Sequence, residues 1–129
     1  MLSLVGCSTI VKYELREPKE NIKSIEIGIR DEFTYSFEPE KSFSESEIND
    51  FLDGLEKIDF RRIYFGDPPR VCGRTVKITY YDESCEFISW YWSQYVNDGS
   101  YREGWRRCEK EDFENLISKF YDIESDDES

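Results

Sequence analysis

Ser24-Ile25-Glu26-Ile27-Gly28-Ile29-Arg30 sets three isoleucines at every second position against serine, glutamate, glycine and arginine. A period of two gives a strand with one apolar and one polar face, whereas a helix would scatter those isoleucines around its axis. After Asp31-Glu32 the alternation resumes with Phe33, Tyr35 and Phe37, so the segment reads as a β-hairpin with one apolar face made by both sets. That face needs cover, and the following segment supplies it. Ser44 with Glu47 forms a capping box, and Phe43 and Ile48 stand at hydrophobic-staple spacing, so a helix begins at Glu45. Ile48, Phe51, Leu52 and Leu55 make its apolar stripe, with Glu45, Asn49, Asp53 and Glu56 turned to water.

Farther along, Ile58 to Phe65 reads as a strand stopped by Gly66-Asp67-Pro68-Pro69, since two prolines cannot join a central ladder. The rigid loop through Arg70 reads as a strand stop, with a recognition loop as the rival reading. Arg74 to Tyr81 and Cys85 to Tyr95 are two strands around the turn Asp82-Glu83-Ser84, and Asp98-Gly99 leads into a third, Tyr101 to Cys108. Glu109 to Tyr121 places Phe113, Leu116, Ile117 and Phe120 at i, i+3, i+4 and i+7 behind an acidic first turn, the pattern of a second helix. The order β-β-α-β-β-β-β-α implies an α+β fold: an antiparallel sheet of about six strands with two helices packed on one face.

A chain of 129 residues with 38% apolar and 16% aromatic content can build one core and not two. Residues 22–121 are the expected domain. Residues 7–21 read as a spacer, or alternatively a short edge strand. The acidic tail 122–129 buries too little to order itself.

The net charge of -12 repels nucleic acid, so no nucleic-acid partner is expected. The charge is uneven: residues 57–110 hold ten Lys/Arg against eight Asp/Glu, while 1–56 and 111–129 each net -7. Histidine is absent, which removes His-based triads, Cys-His dyads and His metal ligands. Cys72, Cys85 and Cys108 have no C-x-x-C spacing, so no metal or redox site is expected; one disulfide and three free thiols both stay open. Phosphate-loop, nucleophile-elbow, dinucleotide and EF-hand motifs are missing. Asp82, Glu83 and Glu86 in a turn, and Glu109, Glu111 and Asp112 at a helix start, read as solvated acids. A glycosidase would need two carboxylates converging in a cleft. The expectation is a non-catalytic protein without a cofactor, a carboxylate-dependent hydrolase being the weakest rival.

If Tyr81 and Cys85 flank a three-residue turn, Ile78 faces Ile88 and Val76 faces Trp90 beneath the helices. Lys77 then faces Ser89, Thr79 faces Phe87 and Thr75 faces Tyr91 on the other side. A two-residue turn at Asp98-Gly99 sets Trp105 opposite Trp92 inside, with Arg106 opposite Tyr91 and Arg102 opposite Tyr95 outside. Lys77, Tyr91, Tyr95, Arg102 and Arg106 thereby make a candidate patch for an acidic or aromatic ligand, or an acidic protein surface, through cation–π and charge contacts. The rival reading is an ordinary solvent face stabilised by cross-strand pairs at about 0.2–1 kcal/mol each.

At the start of the chain, Leu4-Val5-Gly6-Cys7 followed by Ser8 resembles a bacterial lipobox. The resemblance implies cleavage before Cys7 and a diacylglycerol on its thiol. It makes 1–6 the remnant of a signal peptide whose n-region and most of whose apolar run would lie upstream. The chain is also similar to small uncharacterised lipoproteins of Gram-positive bacteria. The implied function is a lipid-anchored extracytoplasmic binding or accessory domain held to the cell membrane through Cys7. The alternative is a cytoplasmic, immunity-type inhibitor whose acidic helices neutralise a basic toxin.

Overall fold

The computed structural model describes residues 10–31, 36–62, 74–91, 93–97, 100–104 and 106–121, with backbone alone at Arg62, 100–104 and Arg106. Among the described residues nine strands and two helices occur in this order: β1 Ile10–Val11, β2 Ile22–Arg30, β3 Phe37–Ser42, α1 Glu45–Glu56, β4 Phe60–Arg62, β5 Thr75–Tyr80, β6 Cys85–Ile88, β7 Ser93–Asn97, β8 Ser100–Gly104, β9 Arg106–Arg107 and α2 Lys110–Ile117. A 3-10 turn, Lys19–Asn21, leads into β2. Six strands form the main antiparallel sheet in the order β3-β2-β5-β6-β7-β8, and β1-β4-β9 form a small second sheet. The α+β class and the two helices on one sheet face are as the sequence implies.

The isoleucine alternation does its work in β2. Ile25 and Ile27 are fully buried and pair with Ile78 and Val76 of β5. Both helices close this face, bringing Phe51 and Leu55 from α1 and Phe113, Leu116 and Ile117 from α2 into one cluster with those strands. Each such side chain contributes about 1.5–3 kcal/mol on leaving water. The capping box is formed as read: Ser44 Oγ accepts from the Glu47 amide, and the Glu47 carboxylate accepts from the Ser44 amide at 2.9 Å. That amide, followed by Lys41, holds the Glu47 carboxyl below the usual carboxylate range. Phe43 packs on Phe51 and Phe120 with ring centroids 5.6 and 5.0 Å away. The second helix stops at Ile117, and Phe120 lies in the turn beyond it.

Four readings need correction. First, Phe37 pairs with Arg30, so it lies on the face opposite Ile25 and Ile27; Ile29, 45% exposed, gains no cover. The loop closes by the Asp31 amide donating to the Ser36 carbonyl, so β3 starts late and Phe33 and Tyr35 fall outside the described residues. Second, Cys85 to Tyr95 is not one strand: β6 ends at Ile88, and Ile88 pairs with Ser93 across the intervening bend. Neither glycine nor proline marks that bend. The Trp90 carbonyl there accepts from the Cys108 amide, a tertiary bond that overrides strong strand propensity.

Third, Val76 pairs with Ile88 and Lys77 with Phe87, two residues off the expected register. The hairpin closes with Tyr80 and Ser84, and Glu83 takes the left-handed conformation at φ 76. A slip of two leaves every side chain on its expected face. Fourth, residues 10–21 are packed structure rather than a spacer: β1 pairs with β4, and Tyr13 is a core residue. The strand expected at 58–65 is β4, in the small sheet. The loop 66–70, Cys72, Trp92, Trp105, Cys7 and the tail lie outside the described residues. Cys85 and Cys108 are free, and burial pushes the Cys108 thiol up to about 12.

Candidate functional site

The register divides the main sheet into two chemically different faces. On the face away from the helices, Lys77 sits between Glu26 and Phe87, Phe87 pairs with Gln94, and Arg30 pairs with Phe37. The Phe37 and Phe87 rings stand 5.7 Å apart. The Arg30 guanidinium carbon lies 3.7 Å from the Phe87 ring centroid, and the Lys77 ammonium is 5.6 Å from Phe37 and 5.9 Å from Phe87. Such contacts are worth about 0.5–1 kcal/mol when exposed and about 2 when desolvated. Gly28 permits this cluster, because a Cβ there would collide with the Glu38 carbonyl oxygen and come within 2.8 Å of Phe37 Cζ. Gln94 is 1% exposed, and its Oε1 finds no donor among the described residues.

Of the expected patch, Lys77 belongs to this face. Tyr95 pairs with Glu86, which shares a face with Ile78 and Ile88, so Tyr95 lies on the helix side. Arg102 does pair with Tyr95, as the two-residue turn implies. Arg106 pairs with Arg62 in the small sheet instead of with Tyr91. Tyr91 lies in the bend after β6, where its ring is 5.7 Å from the Arg107 guanidinium carbon. Lys77 and Tyr95 therefore lie on opposite faces of the main sheet and Arg106 pairs in the small one; the strand break after Ile88 reverses the facing of β7.

The feature missed in the sequence is Glu86. It reads as a turn acid, yet it is 1% exposed. Its Oε2 accepts from the Tyr13 hydroxyl, and its Oε1 accepts from the Tyr80 hydroxyl at 2.6 Å and the Arg16 amide at 3.0 Å. Burial first, then the Glu86 charge, pushes both phenols well above their ordinary range. Beside it Tyr95 donates to Glu17 at 2.8 Å, and Arg16 lies 5.9 Å from the Tyr95 ring. The signal was present in the parity of Glu86 with Ile88 and of Tyr80 with Ile78. This carboxylate ties residues 13–16 to the sheet, and three donors occupy it.

Comparison of the chain with protein-family models, with curated proteins and with solved structures finds no match in any of the three. The class the fold defines is thus an α+β domain of two helices on an antiparallel sheet. Among the described residues no helix is long and apolar enough to cross a membrane.

Proposed function

We propose that the chain is a non-catalytic, lipid-anchored extracytoplasmic binding domain, attached through Cys7, whose ligand surface is the cluster of Arg30, Lys77, Phe37 and Phe87. The attachment rests on the lipobox resemblance of Leu4-Val5-Gly6-Cys7. The observation carrying the binding role is the laying of two cations over two rings on the face away from the helices. Rings and cations together favour a small ligand with a carboxylate and a flat apolar body, or an acidic protein surface with an aromatic side chain.

The test has two arms. Fatty-acid labelling in cells, with and without Cys7→Ser, should label the parent alone and bring it down with membranes. Titration with benzoate, followed by amide resonances, should perturb Lys77 and Phe87 in the parent and not in Lys77→Gln. Absence of perturbation sinks the ligand surface. An unlabelled, cytosolic chain would turn the reading to the toxin inhibitor, with the exposed Glu45, Asp50, Asp53 and Glu56 of α1 as its acidic surface.

A further inference from the structure

The small sheet has one face in the core and one in solvent. Val11 and Phe60 pair across β1 and β4 and turn inward, Phe60 being 1% exposed. The alternate row runs Ile10–Arg61–Arg107 across all three strands. Ile10 is 53% exposed, and both arginines are exposed with no ion pair among the described residues. Like charges directly opposite destabilise a sheet, so this arrangement has no rationale in folding. The neighbouring acid, Asp59, is already neutralised by Lys12 at 2.8 Å.

We propose that the Ile10–Arg61–Arg107 face, with Tyr91 beside Arg107, docks on the headgroups of anionic phospholipids in the membrane to which Cys7 is anchored. An aliphatic side chain, arginines and a tyrosine are the composition that settles at a bilayer interface. The place follows from the reading of Cys7, on which the orientation rests. Two residues, Ser8 and Thr9, lie between Cys7 and Ile10, and three backbone steps reach at most about 11 Å, so a diacylglycerol on that thiol holds this face at the headgroups. The two acyl chains of a diacylglycerol already hold the chain at the bilayer, so the basic face serves to set the orientation of the domain on the surface. The negative charge elsewhere does not oppose contact strongly, because interactions beyond about 8 Å are screened at physiological salt.

The probe is the unlipidated full chain with Cys7→Ser, sedimented with vesicles of phosphatidylglycerol and phosphatidylcholine in equal parts, or of phosphatidylcholine alone. Binding should appear only with phosphatidylglycerol and weaken in high salt. At about fivefold per arginine near an anionic surface, Arg61→Gln with Arg107→Gln should lose about 25-fold, while Arg61→Lys with Arg107→Lys stays within threefold of the parent. Equal binding to both vesicle types, an undiminished double glutamine variant, or competition by millimolar inorganic phosphate overturns the proposal, the last by showing a free-phosphate site. The two readings fail separately. Vesicle binding without fatty-acid labelling in cells sinks the anchor and leaves the face, whereas labelling without vesicle binding does the reverse.

Discussion

Replacing Glu86 with alanine should be strongly destabilising although it leaves every apolar side chain in place. Glu86→Ala removes three hydrogen bonds to a buried carboxylate and leaves the Tyr13 and Tyr80 hydroxyls and the Arg16 amide without their acceptor. Bonds to a charged group contribute about 1.5–3 kcal/mol each, and a stranded buried donor costs about 1–3 kcal/mol. Against this, the desolvation cost of the carboxylate disappears. We expect a net loss of about 3–5 kcal/mol, a large share of the roughly 5–15 kcal/mol typical of a domain. Glu86→Gln keeps the shape and one carbonyl acceptor and should lose only about 1–2 kcal/mol. Urea unfolding followed by far-UV dichroism measures both. At about 4 °C per kcal/mol for a chain of this length, the alanine variant should melt roughly 12–20 °C lower. Hydrogen exchange adds a local readout, since the Arg16 amide should exchange far faster once its acceptor is gone. An alanine variant within 1 kcal/mol of the parent, or one indistinguishable from the glutamine variant, would refute the role given to this carboxylate.

Ser44→Ala removes the side-chain half of the capping box and should cost about 1 kcal/mol by the same urea assay, with α1 fraying at its first turn. Gly28→Ala drives a methyl against the Glu38 carbonyl oxygen and the Phe37 ring; we expect a loss of about 1–3 kcal/mol and displaced ring resonances of Phe37 in NMR spectra. Alkaline pH supplies a signed prediction. Tyr13 and Tyr80 have folded-state pKa values raised above the unfolded value of about 10, so their contribution is complete below that pH and drains away as pH rises toward the folded values. Melting temperature should fall above about pH 10, and the slope should be shallower in Tyr13→Phe with Tyr80→Phe; equal slopes would contradict the assignment.

The strongest local signals were legible directly. The Ile25-Ile27 alternation, the Ser44 capping box and the Phe113, Leu116, Ile117 stripe each depend on neighbours within one turn or one strand, and each appears in the fold. The Asp98-Gly99 turn set the Tyr95 to Arg102 pairing correctly because a two-residue hairpin leaves one register. The expected facing of Tyr95 gave way at Ser89 to Tyr91, where a bend fixed by Cys108 interrupts a run with every appearance of continuous strand. One such interruption inverted the facing of Tyr95. The partnership of Tyr13 with Glu86 spans 73 residues of sequence, and nothing nearby announces a buried acid. The parity of Glu86 with Ile88 points beneath the helices, against its reading as a solvated turn acid, and a carboxylate is expected there only once its donors are known.

The outermost strand of the main sheet, β3, reads Phe37-Glu38-Pro39-Glu40-Lys41-Ser42 and shifts register against β2 beside Gly28. Pro39 offers no amide proton to a newcomer, and the flanking charges resist a second flat backbone laid alongside. Extended peptides therefore have no template on this border, and neither does another copy of the chain seeking to stack edge to edge. A partner meeting this end of the sheet would have to be held by side chains from above, leaving the main chain out of the handshake.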